Sequence, residues 1–308
     1  MCYNNCPRTG FSDSDVEQAV FGRSRTSDET YLGVYKGIYS GRAKDEAILS
    51  RCQDGGVVTS LLVNLLKTDL TARAIVSVTE QGSWHPVPRV ATSRDEVLAA
   101  AGSKYTPSPS VEGLRSAVWE YRRGQSWLGK VAVTGTACQM RALRKMQTSG
   151  YAPTRLLQSE QLSIGLFCFE TFDYKSLKTH LESRGVDLSK VTRMEIKKGR
   201  FRVFQHSELV YDVTISKLEE IVRPCCRSCT DFTSEFSDIS LGNVGSPDGW
   251  STIIVRTDRG QQALDGVTAE GLVEVKPVAE VKPGISETIR LAKMKRERVQ
   301  KVGEKAKP

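Results

Sequence analysis

Cys226-Arg227-Ser228-Cys229 presents two soft ligands on one tight turn. Thr230-Asp231-Phe232 follow directly, and then Gly242-Asn243-Val244-Gly245-Ser246-Pro247-Asp248-Gly249-Trp250, a glycine-rich stretch suited to holding backbone against a planar cofactor. Two isolated cysteines, Cys138 and Cys168, stand upstream at strand-to-turn boundaries. Alone, the Cys-x-x-Cys pair reads as half a zinc site, a redox dithiol or two ligands of an iron–sulfur cluster. No histidine follows His206 to close a zinc site, and no clear helix follows the pair as a thioredoxin-like dithiol requires. Dispersed ligation by Cys138, Cys168, Cys226 and Cys229 suits a 4Fe–4S cluster, which takes four thiolates. Cys138 opens a helix, where backbone amides favour a thiolate. The plainer alternative makes Cys138 and Cys168 buried small hydrophobes.

Other fragments carry weaker signals. Cys2-x3-Cys6-Pro7 matches the last part of a bacterial ferredoxin run without its first two cysteines, and so lacks ligands for a whole cluster. It reads as an eroded remnant, or as the end of a ferredoxin domain truncated at the start. Gln53-Asp54-Gly55-Gly56 is a glycine turn opening a helix, able to receive a pyrophosphate or, more plainly, to cap that helix. It is neither a Rossmann fingerprint nor a Walker motif. Gly102-Ser103-Lys104-Tyr105-Thr106-Pro107 offers a cation, hydroxyls and an aromatic face in one turn. His85 reads as a structural loop histidine, and no Ser/His/Asp arrangement is present.

These residues need a scaffold, and the chain alternates strand and helix patterns. Strands are expected at Tyr31–Tyr39, 74–78, 130–134 and 162–167, and helices at 45–51, 57–66, 94–101, 111–121, 138–146 and 174–184. A β-meander is expected over 193–215, a strand at 253–256, a short helix near 261–264 and a terminal helix from Ser286. Residues 8–30, rich in Ser, Asp and Thr, read as a linker. The alternation predicts a mixed-sheet α/β core.

The 308 residues are 39% hydrophobic and 26% charged, ordinary for a globular chain of one or two domains. No apolar run approaches the roughly 20 residues that cross a bilayer. No signal peptide opens the sequence, so its eight cysteines point to a reducing cytoplasm. Much of the net charge of +8 lies in the tail, where Lys293, Lys295, Arg296, Arg298, Lys301, Lys305 and Lys307 crowd together. The tail reads as a solvated helix end or a peripheral docking arm, and its lack of aromatics argues against a nucleic-acid partner.

Five motifs in order now carry a resemblance: Cys52 to Leu62, Ala101 to Pro109, Thr134 to Gln139, Gly165 to Glu170, and Cys226 through Trp250 to Thr252. Together they resemble the coenzyme F420 hydrogenase/dehydrogenase beta-subunit family over about residues 30–290. The resemblance implies FAD, a 4Fe–4S cluster, hydride exchange with coenzyme F420, and single electrons passed to a partner subunit or ferredoxin, or received from it in the reverse direction. It implies cluster ligation by Cys138, Cys168, Cys226 and Cys229, with Cys225 a spare. It implies flavin contacts from Gln53, Asp54, Gly55, Gly56 and Val57, from Lys104, Tyr105 and Thr106, from Thr134, Gly135 and Thr136, and from Asn243, Val244 and Gly245. Lys104 is expected to meet the anionic tail of coenzyme F420. Cys52 departs from the serine common before the glycine turn. The implied layout is an incomplete ferredoxin-like segment and linker over 1–29, the cofactor core over 30–280 and a basic helix over 281–308. Family members that reduce another substrate, such as 7-hydroxymethyl chlorophyll, give the alternative within the family. A zinc-stabilised basic binding protein is the alternative outside it.

Overall fold

In the computed structural model, residues 6, 9–121, 130–148 and 161–305 are described. Cys2 lies outside them. Eight strands form one mixed sheet in the order β11-β1-β10-β9-β5-β4-β2-β3. These are β1 (Gly37–Ala43), β2 (Arg73–Thr79), β3 (Pro86–Ala91), β4 (Val131–Thr136), β5 (Gln161–Leu166), β9 (Ile239–Gly242), β10 (Ser251–Val255) and β11 (Val273–Pro277). β2, β4, β5 and β9 run parallel, while β10, β1, β11 and β3 join antiparallel.

The central strands are near-continuous apolar runs because both faces are covered. Alternation along β2 divides them: Ala74 and Val76 face one core, Ile75 the other. Against the first pack α3 (Val57–Lys67) and α8 (Asp258–Ala269), through Leu61, Leu65, Leu264 and Val267. Against the second pack α5 (Ser110–Tyr121) and α6 (Ala137–Thr148), through Leu114, Met140 and Leu143. Each such fully buried side chain stabilises the fold by roughly 1.5–3 kcal/mol.

Between β5 and β9 the chain leaves the sheet. It forms α7 (Tyr174–Glu182) and an antiparallel meander of β6 (Val191–Lys197), β7 (Arg200–Gln205) and β8 (Glu208–Thr214). Phe172, Leu177, Leu181, Met194, Phe201 and Val203 close a separate core there. The return passes through a 3-10 turn over Pro224–Ser228 that carries Cys225 and Cys226.

Five sequence expectations shift. The linker expected over 8–30 contains α1 (Asp13–Phe21), capped by Ser12 on the Asp15 N–H and stopped by left-handed Gly22. Its inward face is ionic, through Asp13–Arg141 at 2.6 Å and Glu17 against Arg25, so it shows little apolar period. The strand expected at Tyr31–Tyr39 begins only at Gly37. Asp54 does not cap α3; the cap position is Gly56 at φ +69°, with no side-chain bond. The short helices expected at 45–51 and 261–264 are α2 (Glu46–Leu49) and the full-length α8. Two further helices are α4 (Arg94–Ala99) and α9 (Ile285–Lys305). Among the described residues no helix is long and apolar enough to cross a membrane.

Candidate cysteine and cofactor-loop site

Strand direction brings the expected site residues together. The carboxyl ends of the parallel strands, β4 at Thr136, β5 at Leu166 and β9 at Gly242, share one edge of the sheet. β10 is antiparallel to β9, so its start at Ser251 lies there too, and β1 brings its end at Ala43 to the same edge. Ligands of open α/β sheets bind outside such carboxyl ends. The glycine turn is pinned to this edge: the Ala43 N–H donates to Gly55 O at 2.7 Å. A Cβ on Gly55 would fall 2.5 Å from Gly41 O and 2.7 Å from Ser251 N, so no other residue fits.

Two neighbourhoods occupy the edge. In the first, the Gln53 Nε2 lies 2.6 Å from the Tyr105 hydroxyl, which also accepts the Ile196 N–H of β6 at 2.8 Å. Asp54 bonds Asn243 and lies near Lys197, Glu195 and Asp248. Val244 O accepts the Thr288 hydroxyl of α9 at 2.8 Å, and Gly284 N–H donates to Gly245 O at 3.0 Å. The Lys104 ammonium is taken up by the carbonyls of Ala100, Ala101 and Gly102 at 2.5, 3.1 and 2.9 Å, closing the end of α4. Burial pushes it down to about 8. Thr106 lines an apolar cleft with Trp84, Tyr174 and Leu177. Thr134 donates to Ile75 O at 2.6 Å within the sheet, and the Thr136 N–H is held by Gln139 Oε1 at 2.9 Å.

In the second neighbourhood the four expected thiols meet. Cys138 sits in the first turn of α6, its sulfur 3.4 Å from Thr136 Oγ1. It has the most solvent contact of the four, yet burial is the main force raising its pKa, followed by Cys229, Cys226 and Cys225. Cys168 follows β5, tied by its N–H to Phe232 O at 2.9 Å. Burial pushes its thiol up to about 12; Lys295 opposes this, and Cys138, Cys229 and Cys226 add to it. Cys226 Sγ lies 3.5 Å from Thr171 Oγ1 and Cys229 Sγ 3.6 Å from Asp231 O. Cys226 and Cys229 act on both Cys138 and Cys168, and Cys138 acts on Cys168, so the four sulfurs are near neighbours. Among the described residues no three His, Cys, Asp or Glu side chains gather closely enough to hold a single ion.

Sequence reasoning missed what surrounds these sulfurs. Lys295, 1% exposed, donates to Cys168 O and Asp231 O, both at 2.6 Å. Arg296 pairs with Glu235 at 2.8 Å, while Arg298 pairs with Glu170, donates to Cys226 O at 3.3 Å and lies 4.7 Å over Phe169. Three charges read as solvated thus face inward. The available signal was a stripe at helical spacing, Thr288, Ala292 and Lys295, all buried.

Asp54 carries a pH prediction. Its carboxyl is pushed up to about 6 by burial, against the pull of Asn243 and Lys197 and with the help of Glu195 and Asp248. The folded chain therefore holds this proton where the unfolded chain has lost it, so stability falls as pH rises from about 4 to about 6. Asp54→Asn is expected to remove that decline and to exceed the wild type by about 1–2 kcal/mol near pH 7, allowing for solvent screening. Urea unfolding across this range checks it; an undiminished slope in the variant would refute it.

Comparison with known proteins now adds the class. Residues 38–115 match the family described as coenzyme F420 hydrogenase/dehydrogenase, beta subunit N-term, and residues 128–281 match its C terminus. The chain belongs to this family. It is 39% identical over 281 residues to the coenzyme F420 hydrogenase subunit beta of Methanosarcina barkeri, covering 91% of this chain and 95% of that one. It is 40% identical over 271 residues to the subunit of the same name from Methanothermobacter thermautotrophicus, covering 88% and 94%. The coenzyme F420-dependent sulfite reductase of Methanocaldococcus jannaschii is 34% identical over 96% of this chain but only 44% of its own length. A chain of the F420-reducing [NiFe] hydrogenase complex from Methanosarcina barkeri superposes with a TM-score of 0.82 at 38% identity, covering 90% of this chain and 94% of that chain.

Proposed function

We propose that this chain is the coenzyme F420-linked subunit of an oxidoreductase and exchanges electrons with an electron-accepting or electron-donating partner subunit or ferredoxin. The observation that carries the reading is the meeting, on one sheet edge, of four sulfurs and the glycine-turn loops, in a chain of this family. When bound, FAD and a 4Fe–4S cluster supply the exchange between two-electron and one-electron chemistry.

The residues fit both groups. Cys138, Cys168, Cys226 and Cys229 are an all-sulfur donor set of the number a cluster takes. Buried hydroxyls without partners are rare, and Thr106 Oγ1 and Ser108 Oγ are two of them, on the loop that carries Tyr105. Gln53–Val57, Tyr105, Thr134–Thr136 and Asn243–Gly245 would hold the flavin, with the amides opening α3 directed at an anion. Gln53 and Tyr105 fix each other's orientation, and Tyr105 in turn anchors β6. Asp54, neutral at mildly acid pH, is a proton donor as well as an acceptor at this face. Lys104 lies beside Cys52 at the head of the turn, and Lys197 and Arg42 are further cations near it; they contact Asp248 at 3.1 Å and Gly249 O at 3.3 Å.

The test is a visible spectrum with iron, zinc and released-flavin analysis on protein purified without oxygen. About four irons and one FAD per chain are expected, with reduction by reduced coenzyme F420. A colourless protein carrying zinc would overturn the reading, and flavin without iron would remove its electron exit.

A further inference from the structure

A buried lysine is almost always paired with an acid. Lys295 is 1% exposed, yet both of its short bonds go to neutral backbone carbonyls, those of Cys168 and Asp231. These carbonyls belong to two different cysteine-bearing segments, and Lys295 is 127 residues from Cys168. The groups that stabilise its charge are led by Cys229 and Cys168, with Asp231 third. Among the neighbouring acids, Asp231 is buried, accepts the Glu235 N–H and shares the field of Lys295, while the other two have partners of their own. Glu235 takes Arg25 at 2.6 Å and Arg296 at 2.8 Å, and Glu170 takes Arg298. The ammonium is therefore a positive charge placed where thiolates bring negative charge, in an interior where such attraction is weakly screened.

We propose that Lys295 is a positioning residue for the cysteine site: it clamps the Cys168 and Cys229 segments to α9 and is the built-in counter-charge of a cluster held there. This rests on the cluster reading above and adds a role for a helix outside the cysteine motifs. Cluster potentials follow net charge, hydrogen bonding to sulfur and exposure. A fixed cation beside the sulfurs favours the more negative, reduced state, so its loss makes the cluster harder to reduce.

The experiment compares wild type, Lys295→Gln, Lys295→Arg and Lys293→Gln in the full chain, purified without oxygen. Lys293 is the control, an exposed residue of the same helix paired with Glu297 at 3.9 Å. Iron per chain, thermal unfolding and the midpoint potential from a redox titration of the cluster signal are read. The expected result is a more negative midpoint in Lys295→Gln, with Lys295→Arg and Lys293→Gln close to wild type. Iron lost in Lys295→Gln but restored in Lys295→Arg supports the same assignment, because charge and not shape is then required. An unshifted midpoint with full iron in Lys295→Gln overturns it. Equal loss of iron in Lys295→Gln and Lys295→Arg also overturns it, in favour of simple packing. Wild-type protein without iron overturns the cluster reading and this assignment with it, whereas wild-type iron with an unshifted variant overturns this assignment alone.

Discussion

Cys229→Ala, purified without oxygen, is expected to retain on the order of a tenth of the wild-type iron or less, because a 4Fe–4S cluster takes four thiolates. Cys229 is the sharpest position for this test. Cys226 has Cys225 beside it, a sulfur already close to Cys138, so a single Cys226→Ala leaves a neighbour able to take its place. Cys226→Ala is therefore expected to lose iron fully only when combined with Cys225→Ala. Flavin content should stay at wild-type level in all three variants, because Gln53, Asp54 and Tyr105 are held by contacts that involve none of these sulfurs. Reduction of a one-electron dye by reduced coenzyme F420 should fail together with the iron. Full iron in Cys229→Ala would sink the ligand assignment, while leaving the flavin side open to its own test.

Asp238→Ala is expected to destabilise the chain by about 3–5 kcal/mol, the cost of leaving a buried charge without its partner. Asp238 is 0% and Arg144 2% exposed, and the two meet at 3.1 Å. The carboxylate also accepts the Ser163 N–H at 2.8 Å, the Ser163 hydroxyl at 2.6 Å and the Thr257 hydroxyl at 2.8 Å. It thereby ties β5, α6 and the start of α8 to the head of β9. Burial opposes its charge, but Arg144 and Ser163 outweigh that and hold its pKa below the usual carboxylate range. Its stabilisation is thus present above the unfolded pKa near 4 and lost as pH falls through the lower folded value. The melting temperature should drop by on the order of 10 °C. The double variant Asp238→Ala/Arg144→Met should recover part of the loss, since the orphaned cation is gone. A loss below about 1 kcal/mol in the single variant would show that water or a neighbour replaces the pair.

What could be read from the chain depended on where burial is apolar. β4, β5 and β10 announce themselves as apolar runs, and α3 by its period, so the α/β core was legible. α1 was not: it docks through Asp13 and Glu17, and Arg141 lies 4.1 Å over the ring of Phe11 just before it, contacts without an apolar repeat. β3 carries Pro86 and Pro88, tolerated because it is an edge strand. Each of the four cysteines was visible singly. Their meeting is a property of strand order, which places the ends of β4 and β5 beside the return segment from the meander. Lys295, Arg296 and Arg298 were hidden by their type, since a run of cations ordinarily lies in water.

The meander between β5 and β9 has its own closed core, and it touches the main body at a few points such as Tyr105 against Phe201 and Lys197 against Asp248. It behaves as a cassette. Its exposed tip, with Leu209 on the surface, can diverge while the eight-stranded frame stays unchanged, but Cys226 and Tyr105 pack against its interior and hold that part fixed. Changes confined to the outer turn at 206–209 therefore leave the frame intact, whereas changes to the buried face of the meander reach the cysteine segment through Cys226.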